Sequence, residues 1–288
     1  MMNGRYPRVA TVLMESKGQY GRTDNEERLK VLLETIKKTT PKTTGSGIIL
    51  FPAGYLQTGR FKPSYKKYHQ WTTPIKRALT LIKNRRVIIC FGIDGRFNLE
   101  NPLKSPKDQI VLAVDRTGVI AAARKFHPTK SEKSEIEVAD NYLAGEKNKP
   151  RIFKLSGKRY YLAVCYDVFG ICQRNLPNPG VDGILNPIHK FTARCQCEGE
   201  ICKCGATSGE VYFARHGMAG ASMKWGVPVY GSVVFYERKI PTKWPCGVLV
   251  GGKSLNMKAW KYEDNALIIF DKFDIAFGQI KITGMYSS

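Results

Sequence analysis

Short apolar runs set between helix-length amphipathic segments constrain this chain most. Residues 48–51 and 87–93 are almost unbroken hydrocarbon. They are short for buried helices and lack the alternation of a strand with one wet face. Runs of this kind are strands covered on both faces. Residues 9–14 read as a first strand of the same sheet. Thr23-Asp24-Asn25-Glu26 is a capping-box sequence, and Leu29, Leu32, Leu33 and Ile36 follow at helical spacing. Pro41 stops that helix. Thr73-Pro74 opens a second one, with Ile75, Ala78, Leu79 and Ile82 on one side.

The pattern then changes. Residues 109–115 and 119–126 flank Asp115-Arg116-Thr117-Gly118, a hairpin turn. Residues 151–155 and 158–165 form a second hairpin around Ser156-Gly157, and residues 183–188 form another strand. Residues 207–225 read as a helix weakened by Gly217 and Gly220. Residues 227–235, 247–250 and 266–270 complete the strands. Strands that first alternate with helices and later pair as hairpins predict a mixed α/β domain with helices on the sheet faces. Residues 1–288 read as one such domain.

Three strand ends carry chemistry. The apolar run 160–164 delivers Cys165 to a turn at Tyr166-Asp167. On its own, such a cysteine is most often a small core residue. Held on rigid backbone and facing a cavity, it is a nucleophile. Arg124-Lys125-Phe126-His127 and Phe51-Pro52-Ala53-Gly54-Tyr55 end two earlier strands. In order and spacing, these three motifs resemble the nitrilase superfamily of carbon–nitrogen hydrolases. The resemblance runs from Val9 to about Asp271. The family's phenylalanine-proline-glutamate pattern matches Phe51-Pro52-Ala53, its arginine-lysine-x-histidine pattern Arg124-Lys125-Phe126-His127, and its cysteine-tyrosine-aspartate pattern Cys165-Tyr166-Asp167. The fold this implies is a four-layer α-β-β-α sandwich with mixed sheets, commonly dimerised.

The resemblance implies an amidase-type reaction on a small amide, with no cofactor for catalysis. Cys165 would attack as thiolate, and Lys125 would stabilise both the thiolate and the oxyanion. The Tyr166 N–H would be a second oxyanion donor. The family glutamate, which moves protons, corresponds here to Ala53, and losing a general base costs roughly 10²–10⁴-fold in rate. Three readings of Ala53 stand side by side. The chain is a natural non-hydrolytic relative, or an alanine variant made to trap substrate, or another carboxylate takes over. Glu132, Glu135 and Glu137 are the candidates, and the family also carries a supporting glutamate in that loop.

Cys195, Cys197, Cys202 and Cys204 form a C-x-C-x₄-C-x-C cluster within an insertion at about residues 190–206. Four thiolates suit a structural Zn²⁺, with His189 and His216 as alternative ligands. The chain has no apolar stretch of signal-peptide or membrane-spanning length, which predicts a cytoplasmic protein with reduced or metal-bound cysteines. Its net charge is +22, and residues 35–93 hold twelve basic and no acidic side chains. That field favours an anionic substrate, an acidic partner or nucleic acid. Residues 60–71 interleave cations with aromatic rings, which suits either base stacking or an amphipathic helix entry packing Phe61, Tyr65 and Trp71 inward. A binding protein on the same scaffold, its pocket inactive, is therefore the alternative to a hydrolase.

Overall fold

The computed structural model describes residues 8–16, 25–39, 46–58, 65–82, 86–95, 107–192, 212–236, 247–249, 271–277 and 280–285. Strands β1 (Arg8–Ser16), β2 (Gly47–Leu50) and β4 (Val87–Asp94) are parallel neighbours, with the short β3 (Leu56–Gln57) on the end of β4. The hairpin β5 (Gln109–Asp115) and β6 (Gly118–Arg124) adds antiparallel strands beyond β4. On the other side of β1 come β10 (Val229–Tyr236), β9 (Gly183–Thr192), β8 (Lys158–Leu162) and β7 (Ile152–Leu155). The sheet order is β6-β5-β4-β2-β1-β10-β9-β8-β7. A short β11 (Gly247–Val248) pairs with β10, and β12 (Asp271–Phe277) with β13 (Ile280–Met285), which also pairs antiparallel with β1.

Side-chain alternation builds the layers. Ile49, Phe51, Val87, Ile89, Phe91, Ile110, Leu112 and Val114 face helices α1 (Asn25–Thr39) and α2 (Tyr65–Thr80) and pack with Leu32, Ile36, Ile75 and Leu79. Their neighbours Ile48, Leu50, Ile88, Cys90, Val111 and Ala113 point the other way, into a core shared with Leu162, Ile184, Leu185 and Val229. Helix α3 (Asp167–Gln173), a π-helical turn Phe213–Met218 and its continuation α4 (Ala219–Trp225) complete that core from the far side. The result is the expected α-β-β-α layering. Full burial of each large apolar side chain contributes about 1.5–3 kcal/mol. No helix among the described residues is long and apolar enough to cross a membrane.

Several boundaries differ from expectation. Helix α2 starts at Tyr65, and Pro74 lies inside it rather than at its opening. Tyr68, Trp71, Ile75 and Leu79 form one buried helical stripe that begins before the proline. The carbonyl that loses its partner belongs to exposed Gln70, where water can satisfy it. Of residues 60–71, Tyr68 and Trp71 are thus packed inward. Strand β8 stops at Leu162, three residues before Cys165, while β9 runs on to Thr192. The Gly217 that lowers helix propensity is a packing position, since a Cβ there would lie 2.8 Å from the Phe169 ring. The Thr23-Asp24 cap, residues 60–64, 207–211 and 266–270, and the cluster Cys195, Cys197, Cys202 and Cys204 lie outside the described residues.

Candidate active site

After β8, the chain keeps bonding to β9 while it turns. Ala163 N–H donates to Leu185 O (2.9 Å) and Cys165 N–H to Pro187 O (2.8 Å). Cys165 adopts φ +50°, left-handed backbone that a non-glycine residue holds at a cost of about 1–3 kcal/mol. Tyr166 then takes helical angles, its ring stacked on Phe169 at 4.3 Å, and α3 begins at Asp167. This strand–turn–helix joint leaves Cys165 9% exposed.

Asp167 fastens that joint to the Lys125 motif. One carboxylate oxygen accepts the N–H groups of Phe126 and His127, both at 2.9 Å. The other accepts Val164 N–H at 3.0 Å and the Arg151 guanidinium at 3.2 Å. Asp167 thus caps and clamps, while the His127 ring turns to Gln173 at 3.1 Å.

Lys125 follows β6 and is fully buried. Its ammonium donates to both oxygens of Glu132, at 2.8 and 2.7 Å. Glu132 also accepts Thr129 N–H (2.9 Å) and Gln109 Nε2 (3.3 Å). Burial would raise the Glu132 pKa, but the Lys125 charge and hydrogen bonds outweigh it and hold it down to about 2. Of the three loop carboxylates, only Glu132 is bonded to Lys125. Glu135 is exposed, and Glu137 lies 3.6 Å from Arg124.

Ala53 follows β2 and is buried. Its N–H donates to Ile188 O at 3.2 Å, tying position 53 to β9. The next β9 residue, His189, has its Nε2 3.1 Å from Asp94 Oδ1, and Lys107 Nζ lies 3.1 Å from Asp94 Oδ2. The His189 ring and its backbone N–H both act on the Cys165 sulfur in favour of the thiolate. Burial disfavours a Cys165 thiolate, yet the Lys125 charge and the His189 hydrogen bonds and charge prevail, so the thiol pKa falls below its ordinary value. Burial likewise disfavours an imidazolium, but Asp94 and Cys165 push the His189 pKa up to about 9. By contrast, burial alone raises the Cys90 thiol far above its usual range, and burial pushes Cys172 up to about 11 against a weaker pull from Lys224.

The structure therefore gathers Cys165, Lys125, Glu132 and Ala53 around one end of β9. It adds His189, which the sequence suggested only as an alternative zinc ligand, and Asp94, which carried no sequence signal. They are 95 positions apart. Among the described residues, no group of three or more His, Cys, Asp or Glu side chains is arranged to hold a metal.

No family model and no curated protein sequence matches the chain. Solved structures do. A cysteine-to-alanine mutant of a Nesterenkonia AN1 amidase from the nitrilase superfamily matches with a TM-score of 0.53 at 13% identity, over 81% of this chain and 78% of that one. A glutamate-to-glutamine mutant of the amidase from Nesterenkonia sp. AN1, showing covalent addition of the acetamide moiety of fluoroacetamide at the active site cysteine, matches with a TM-score of 0.52 at 14% identity, over 81% and 77%. An amidase from Nesterenkonia sp. matches at 0.51 and 13%, over 81% and 78%. With parallel strands ending at the thiol, the ammonium and position 53, and with helix pairs on both outer faces, the chain has the nitrilase-superfamily fold.

Proposed function

We propose that this protein is a carbon–nitrogen hydrolase of amidase type, acting on a small amide through Cys165 without a catalytic cofactor. The observation that carries this reading is the Cys165 turn: a left-handed cysteine at a strand–helix joint, its thiolate favoured by buried Lys125. The thiolate attacks the amide carbon. Lys125 and the Tyr166 N–H stabilise the oxyanion. The amine leaves, and water hydrolyses the thioester. Glu132 holds the Lys125 ammonium in place. The high net charge favours a substrate with an anionic group. Ammonia release from a panel of aliphatic, aromatic and carboxylated amides tests the reading. Release by the wild type, lost in Cys165→Ser, supports it. Release that survives Cys165→Ser overturns it.

A second reading rests on a groove of about 410 Å³ beside α2 that none of these site residues line. Exposed His69, Lys76, Arg77, Lys147 and Lys149 border it, with Glu146 as its acidic member. Glu146 is bonded to Arg124 at 2.8 Å, so the groove is basic. It would hold nucleic acid or an acidic partner, and oligonucleotide affinity that falls steeply with salt is its signature.

A further inference from the structure

The proposed reaction moves a proton twice: to the leaving amine, then away from the attacking water. The methyl of Ala53 can do neither. Glu132 is a poor substitute. Both its oxygens are already bonded to Lys125, and a carboxylate held near pKa 2 has little tendency to accept a proton at neutral pH.

A different group stands in the right place. His189 lies one residue beyond Ile188, whose carbonyl is bonded to Ala53 N–H, so the β9 backbone that carries the imidazole runs beside position 53. Its Nε2 is engaged by Asp94, and the ring also interacts with the Cys165 sulfur. The imidazole keeps 16% of its surface open, enough for contact with a leaving amine or a water. Asp94 is itself held by Lys107, and its carboxylate lies over Gly54. A Cβ on Gly54 would sit 2.8 Å from Asp94 Oδ2, so the residue next to Ala53 is one that lets this aspartate approach.

We infer that His189, oriented by Asp94, is the acid–base residue of this site, giving a Cys165–His189–Asp94 triad where the family's first motif would place a glutamate. The inference rests on the hydrolase reading above. As the thiolate adds to the amide carbon, the imidazolium gives its proton to the nitrogen. The C–N bond breaks and the amine departs. The neutral imidazole then takes a proton from water, and the hydroxide adds to the thioester. The C–S bond breaks, releasing the acid and restoring the thiolate–imidazolium pair. One amide and one water become one acid and one amine, with no other reactant. The charged groups around His189 are Asp94 on β4, Lys107, the Cys165 thiolate, and Lys125 and Glu132 from the loop after β6. Both carboxylates favour the imidazolium, and the two ammonium groups oppose it.

The test is the pH dependence of iodoacetamide alkylation at Cys165, read by peptide mapping in the wild type, His189→Gln and Asp94→Asn. Circular dichroism checks each fold, and ammonia release is measured alongside. The expected result is a wild-type alkylation rate that persists below pH 7. In His189→Gln the profile moves up by about one pH unit or more, so the rate at about pH 6 falls at least tenfold. Asp94→Asn moves it the same way by less, and carries the test if His189→Gln does not fold. Ammonia release falls by about 10²-fold or more in His189→Gln. A wild-type profile in both folded variants overturns the His189 assignment and leaves the hydrolase reading standing. A Cys165 that resists alkylation throughout the pH range in the wild type overturns both.

Discussion

Arg151 and Asp167 form an ion pair with neither side chain exposed, and through it the backbone after Lys125 is joined to the backbone around Cys165. Arg151 also donates to the Arg124 carbonyl and packs over the Phe126 ring at 5.4 Å. Removing one partner of such a pair leaves the other charge buried alone, at a cost of about 3–5 kcal/mol. Asp167→Ala is therefore expected to lose that much stability in urea denaturation. If it folds, it is also expected to lose the enhanced reactivity of Cys165, because three N–H groups that hold the two loops lose their acceptor.

Lys125→Met removes the cation that most favours the thiolate while keeping the length of the side chain. Alkylation of Cys165 at neutral pH is expected to slow about tenfold, a shift of roughly one unit in the thiol pKa. Cys90 and Cys172, whose thiols burial has raised, are expected to keep their rates. Peptide mapping of all three in the same sample separates this local effect from loosening of the fold.

The backbone behind position 53 leaves no room. A methyl on Gly92 would lie 2.4 Å from Ala53 Cα and 2.5 Å from Gly54 N. Both are backbone atoms, so neither can rotate away. Gly92→Ala is expected to lose about 1–3 kcal/mol, and to lower amide turnover by displacing Ala53 from Ile188 and so shifting His189. Thermal melting and ammonia release check the two halves.

The carboxylates of the site set an acid limit. Glu132 is held down to about 2 from an ordinary 4.5, and Asp94 is held well below its ordinary value by His189 and Lys107. A depressed pKa gives stability that is present above the unfolded value and lost as pH falls through the folded one. On the acid side, melting temperature is expected to fall as pH drops from about 5 towards 2. In Lys125→Met the decline becomes shallower, because Glu132 no longer gains from its partner on folding.

Much of this architecture was legible in residue pattern. The apolar runs at β2 and β4 and the turn residues of the β5–β6 and β7–β8 hairpins act locally, and local signals survive in sequence. The turns bearing Cys165 and Lys125 were visible for the same reason. Helix α2 was misread because proline is favoured at the first position of a helix, while the stripe Tyr68, Trp71, Ile75 and Leu79 that begins before it depends on a sheet to pack against. No strand was assigned to residues 271–285, where β12 and β13 form by pairing with each other and with β1, at the opposite end of the chain. The Asp94–His189 contact is the clearest case of a hidden relationship. Nothing in either residue's neighbourhood points to the other, and only the meeting of β4 with β9 joins them.

Selective modification of the unaltered protein by fluoroacetamide at neutral pH, mapped cysteine by cysteine, tests the central claim most directly. The account predicts acetamide addition at Cys165, with Cys90 and Cys172 left free. Labelling of Cys90 or Cys172 while Cys165 stays unmodified would contradict it.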